Sequence, residues 1–117
     1  MVYRELTFTY AGKKYTFTPS MALVGRIRQI AMDSRTSFVR LAQSVAGMDP
    51  DNYSFALIMS EFSAASGSRI PEDECFAFLQ SGGDGVQTFY TAFLNTVFPE
   101  VDLGKKPAAP EEQEAKE

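Results

Sequence analysis

Leu6-Thr7-Phe8-Thr9-Tyr10-Ala11-Gly12-Lys13-Lys14-Tyr15-Thr16-Phe17-Thr18 is the stretch on which the fold turns. Leu6, Phe8 and Tyr10 fall on one face of an extended chain; Glu5, Thr7 and Thr9 fall on the other. A period of two in a run rich in Thr and aromatics predicts a half-buried strand. Ala11-Gly12-Lys13-Lys14 is a turn signal, and Tyr15-Thr16-Phe17-Thr18 returns as a second strand. Two strands alone are marginal in water, so this hairpin needs something to pack on.

The rest of the chain supplies helices. Pro19-Ser20 ends the second strand, and Ser20 is placed to cap a helix. Leu23, Val24, Ile27, Ile30 and Ala31 then recur at helical spacing, with Arg26 and Arg28 on the wet side. Asp33-Ser34 breaks or bends this helix. Phe38, Leu41, Ala42 and Val45 form a second stripe, closed by Gly47 at the helix-ending position. Asp49-Pro50-Asp51-Asn52 starts a third helix with the stripe Phe55, Ile58, Met59 and Phe62. Ser66-Gly67-Ser68 reads as a loop. Pro71 suits a first helical residue, and Glu72, Asp73 and Glu74 suit the positive end of a helix dipole. Phe76, Phe78 and Leu79 follow before Gly82-Gly83. Asp84 is read as the cap of the last helix, whose stripe is Val86, Phe89, Tyr90, Phe93, Leu94 and Val97.

The reading is therefore α+β and predominantly α: an N-terminal β-hairpin packed on about five helices. Residues 1–103 form one domain. Residues 104–117, Pro-containing and then Glu-rich with no apolar periodicity, read as a disordered acidic tail. Leu6, Phe8, Ile27, Leu41, Phe55, Ile58, Phe62, Phe89 and Phe93 are the expected core. Removing the Phe93 ring should cost about 3–5 kcal/mol if it is core.

Composition narrows the function. The 117 residues are 44% apolar, with ten Phe, five Tyr and no Trp. The net charge of -4 and the lack of a basic stripe argue against a nucleic-acid partner. No apolar run is long enough to span a bilayer. The opening Met1-Val2-Tyr3-Arg4-Glu5 lacks the apolar run of a signal peptide, so the cytoplasm is the expected compartment.

The usual carriers of chemistry are scarce. The chain has no histidine and one cysteine, which leaves no imidazole base and no thiolate metal cluster. Cys75 beside Glu74 is a poor nucleophile, and a small residue at a helix edge is the plainer reading. Asp49, Asp51 and Asn52 share residue types with a calcium loop but lack its glycine and closing glutamate. Gly82-Gly83-Asp84-Gly85 lacks the Gly-Lys-Ser/Thr ending of a phosphate loop and follows no strand. Glu72, Asp73 and Glu74 sit side by side in one turn, whereas paired catalytic carboxylates face each other across a cleft. The expectation is a non-enzyme with no cofactor and no metal. The surplus of aromatics over what a small interior holds points to a protein-binding surface that draws on exposed members of Phe76, Phe78, Tyr90 and Phe98.

The hairpin with its Gly-Lys-Lys-Tyr turn, feeding a small acidic helical domain and a polar tail, resembles the tail assembly chaperones of long-tailed bacteriophages and prophages. The resemblance covers the element order of residues 3 to about 98, and its specific part is the hairpin. It implies a protein that binds the tape measure protein, prevents its aggregation before the tail tube polymerises, and can self-associate along it. It also implies residence in the host cytoplasm and absence from the mature virion. Many members are made in two lengths by a backward ribosomal slip. Leu103-Gly104-Lys105-Lys106 can be encoded by a slippery run, and the longer product would recruit the tail tube protein. The same features fit a small regulatory protein that inhibits a host protein, or a structural tail or connector component.

Overall fold

The structure is a computed structural model, and it describes residues 5–98. The expected tail from residue 104 and the slip site at residues 103–106 lie outside the described residues. The order is a hairpin, β1 (Leu6–Tyr10) and β2 (Lys13–Phe17), then α1 (Met21–Asp33), α2 (Phe38–Ala46), α3 (Asn52–Ala65), α4 (Glu72–Ser81) and α5 (Val86–Val97). This is the α-rich α+β arrangement that the periodicities specify.

The hairpin is closed by a two-residue turn. Ala11 and Gly12 both have positive φ, at 51° and 80°, the backbone twist that matches two right-twisted strands. The register pairs Leu6 with Phe17, Phe8 with Tyr15 and Tyr10 with Lys13. Phe8, Tyr15 and Phe17 are buried on the inner face. Leu6, expected in the core, is only half-buried. It stands at the open end of the hairpin, and the ring pressed on α3 there is its neighbour Phe17, stacked on Phe62 at 4.5 Å.

The central element is α3. It packs between α1 and α4 and also meets β2. Phe55, Ile58, Met59 and Phe62 are buried as the stripe predicts, but so are Ser54, Ala56, Ser60 and Ser63. A helix covered on nearly every side has to bury its small polar residues too. Each is hydrogen-bonded, as burial requires. Ser60 Oγ donates to the Ile70 carbonyl at 2.8 Å, Ser63 Oγ donates to the Ser60 carbonyl at 2.7 Å, and Ser63 Oγ accepts from the Ile70 amide at 2.7 Å. Ser54 Oγ donates to Asp51, the N-cap of the same helix. The small side chains of Ser60 and Ser63 let the Ile70 backbone come within hydrogen-bond reach.

Helix ends follow the local chemistry with instructive exceptions. Ser20 caps α1 by accepting from the Leu23 amide at 3.1 Å, and Ser37 does the same for α2 through the Arg40 amide. α1 and α2 end in caps that place a left-handed residue two positions beyond the last helical one. That residue is Arg35 (φ 59°) after α1 and Met48 (φ 61°) after α2. In the first cap the Thr36 amide donates to the Ala31 carbonyl; in the second the Asp49 amide donates to the Ser44 carbonyl. Gly47 was expected in the left-handed role, but it sits one residue early with φ -84°. Pro71 precedes α4 as its N-cap rather than opening it.

Asp84 does not cap α5. The N-cap is Gly85, with φ 99°, because α5 begins hard against the hairpin. Thr88 Oγ1 accepts from the Thr9 amide at 2.8 Å and donates to the Gly85 carbonyl. That ties the outer edge of β1 to the first turn of α5 and removes an open strand edge there.

Candidate protein-binding surface

The four aromatics singled out for a binding surface differ in exposure: two are open, one is half-buried and one is core. Phe76 lies on α4 and is 39% exposed; Phe98, just past α5, is 44% exposed. Phe78 is half-buried, its ring meeting Tyr10 edge-on at 5.0 Å. Tyr90 is a core residue at 5% exposure. Its ring packs on Phe55 at 5.2 Å, its hydroxyl donates to Asn52 Oδ1 at 2.9 Å, and burial pushes its pKa up. Tyr90 therefore leaves the candidate set. A stripe at helical spacing marks the side that is covered, and Tyr90 sits in the middle of that side, next to Phe89 and one turn before Phe93 and Leu94.

The exposed apolar residues among those described are mostly ones the sequence does not flag. Met21 and Met48 are each 89% exposed, and Met32, Val39 and Tyr53 are also open. Three are methionines at or beyond helix ends, where periodicity assigns no face. Unbranched, polarisable side chains of this kind adapt to varied apolar partners. Among the described residues two ion pairs meet at Glu61 of α3, which accepts from Arg26 Nε at 3.0 Å and from Arg69 Nη1 at 3.4 Å. They join α1 to the segment before α4. With both arginines half in water they contribute little to stability.

Cys75 is fully buried rather than at a helix edge. With Leu79 it forms the inward face of α4, and its thiol faces the Ile70 carbonyl at 3.7 Å. Burial pushes the thiol up from 9.0 to about 12, with Glu72 and Glu74 adding to the effect and Arg69 opposing it. At neutral pH it is a protonated, apolar-like group, unsuited to nucleophilic work. Tyr10 shifts in the same direction, first by burial and then through Glu74, whose carboxylate accepts its hydroxyl at 3.3 Å. Groups whose pKa is raised by folding stabilise the fold below their unfolded value, and that contribution is lost as pH rises through the folded value. The expected result is a urea midpoint that declines between about pH 9 and 12. Cys75→Ala should flatten part of that decline. Native Cys75 should resist a thiol reagent at pH 8 and react once urea unfolds the chain; rapid native labelling would place the thiol at the surface.

Among the described residues no three His, Cys, Asp or Glu side chains are grouped to hold a metal ion, and no helix is long and apolar enough to cross a membrane. What the described surface offers is scattered Met and aromatic area on a helical body. The chain matches no family model, no curated protein and no solved structure.

Proposed function

We propose that this protein is a non-enzymatic tail assembly chaperone of a long-tailed bacteriophage, which binds the tape measure protein and keeps it from aggregating before the tail tube forms. The observation that carries the reading is the set of exposed methionines and aromatics on the helical body: Met21, Met32, Met48, Tyr53, Phe76 and Phe98. Long apolar helices need such a holder, because lone chains of that kind associate with one another. The acidic net charge keeps the holder itself soluble. The protein acts in the host cytoplasm and leaves before the virion is complete. A longer product, read through residues 103–106 in the shifted frame, recruits the tail tube protein.

The test is co-expression with the long helical protein encoded beside it. The expected result is a soluble complex and an insoluble partner when expressed alone. Phe76→Ser, Met48→Ser and Phe98→Ser together should weaken that complex at least tenfold, since anchors of this kind each contribute more than about 1 kcal/mol when buried. All three are exposed, so the fold should stand. Unchanged capture by the triple variant would move the site elsewhere, and presence of the protein in purified particles would favour a structural tail component.

A further inference from the structure

The two edges of the hairpin differ. A two-residue turn makes Tyr10 and Lys13 a hydrogen-bonded pair, and with Phe8 opposite Tyr15 and Leu6 opposite Phe17 the bonded pairs follow at every second residue. Thr7 and Thr9 on β1, and Lys14 and Thr16 on β2, therefore turn their amides and carbonyls outward. On the β1 side the Thr9 amide is taken by Thr88 Oγ1 of α5. On the β2 side the amides and carbonyls of Lys14 and Thr16 meet no hydrogen-bond partner among the described residues.

The open edge is also basic. β2 rests on α3 through its inward residue Phe17, stacked on Phe62, while Lys13, Lys14, Thr16 and Thr18 are exposed. Lys13 and Lys14 are the only lysines among the described residues of a chain whose net charge is -4. Neither is in an ion pair among the described residues. Lys13 Nζ lies over the Tyr15 ring at 5.1 Å, which keeps its charge at the strand. Lysine on an edge strand guards against pairing with a copy of the same chain. The guard is electrostatic: two such edges repel each other, and an acidic strand is drawn in.

We infer that the open edge of β2 takes up an extended acidic segment of a partner protein as a third strand. The main-chain groups of Lys14 and Thr16 supply the bonds, and the two lysines supply the selection. In the antiparallel sense, the pairing more stable per residue, the chemistry of the occupant follows from β2. From its N-terminus it carries an apolar residue opposite Phe17, Thr or Ser opposite Thr16, an apolar residue opposite Tyr15, and Glu or Asp opposite Lys14 and Lys13. The apolar residues then extend the inward face that Tyr15 and Phe17 begin. This role uses none of the exposed methionines and aromatics, so it goes beyond the tape measure reading and does not rest on it.

The probe is the end-blocked peptide Ser-Val-Thr-Val-Glu-Glu-Gly, added to the full chain and followed by proton–nitrogen NMR. The amide signals of Lys14 and Thr16 should move downfield and saturate, and their solvent exchange, fast in the free protein, should slow at least tenfold. Methylating the backbone nitrogens of the Thr and the first Glu keeps the peptide's charge but removes the two donors that reach β2. It should weaken binding at least tenfold, since two main-chain hydrogen bonds are lost. Lys13→Glu with Lys14→Glu, both on exposed side chains, should lose this peptide and gain the one with Lys in place of both Glu. Equal binding by the methylated peptide reduces the contact to charge and overturns the inference, as does a peptide that moves neither amide. Slow exchange of those amides before peptide is added means that the edge is already filled. A shift that grows with protein concentration alone gives the edge to a second copy. Either result overturns the partner assignment. No tape measure protein enters these measurements, so their failure leaves the co-expression result standing.

Discussion

Gly85→Ala is expected to lower the stability of the fold by roughly 2–5 kcal/mol, more than any other single-methyl addition at a glycine of the described chain. Two costs add. At φ 99° an L side chain strains the backbone, by about 1–2 kcal/mol. The new Cβ would also collide with the Thr9 carbonyl oxygen. That atom belongs to the strand backbone and cannot swing aside, so the hairpin or the start of α5 must move, an overpacking cost of about 1–3 kcal/mol. Gly67→Ala is the matched control. Its φ is 106°, but nothing lies within 4 Å of the added Cβ, so the backbone cost alone applies, about 1–2 kcal/mol. Urea titrations of the two variants separate the terms. Equal losses would mean that the contact of α5 with β1 yields easily.

Phe93→Ala is expected to cost about 3–5 kcal/mol. Phe93 is fully buried, its ring 5.0 Å from Phe55 and 6.2 Å from Phe38 in edge-on arrangements. Truncation removes its burial and leaves a hole that α3 and α2 line. Phe76→Ala, on the exposed side of α4, should change stability by less than about 1 kcal/mol. Urea unfolding of both checks the contrast. A small loss at Phe93 would mean that α2 collapses into the gap, and it would show in the exchange of the α2 amides.

Much of this architecture is local in origin. The Thr and aromatic alternation of residues 6–18 can satisfy its apolar face only as a pleated strand pair, and Ala11-Gly12 supplies the reversed twist that joins them. Ser20 and Asp51 announce helix starts because a short oxygen-bearing side chain satisfies the first free amides. Phe55, Ile58, Phe62, Phe89 and Phe93 repeat with the helix, so each stripe names its own buried side. Those signals depend on residues a few positions apart, which is why a sequence carries them.

The candidate site was legible only in kind. Periodicity says which side of a helix is covered, and not by what or how well. Tyr90 stands both in the α5 stripe and among the surface candidates, and Cys75 reads as a helix-edge residue; both are core, because α3 packs against the helices that carry them. Met21, Met48 and Tyr53 lie at helix ends, where no face is defined, and they are the open apolar surface. α2 shows the clearest limit: its stripe is as regular as that of α5, but its depth of burial depends on how much of α5 is left over once the hairpin and α3 have taken their share.

The sequence by itself determined the hairpin, the five helices and their inward faces, since propensity, spacing and capping act within a turn or two of chain. Only the tertiary structure decided that Gly85, not Asp84, opens α5, that α3 is covered on nearly all sides, and that α2 is barely seated. Those facts follow from the approach of Thr9 to Gly85 across more than seventy residues and from competition among elements for one small core, where close packing leaves room for some faces and not for others.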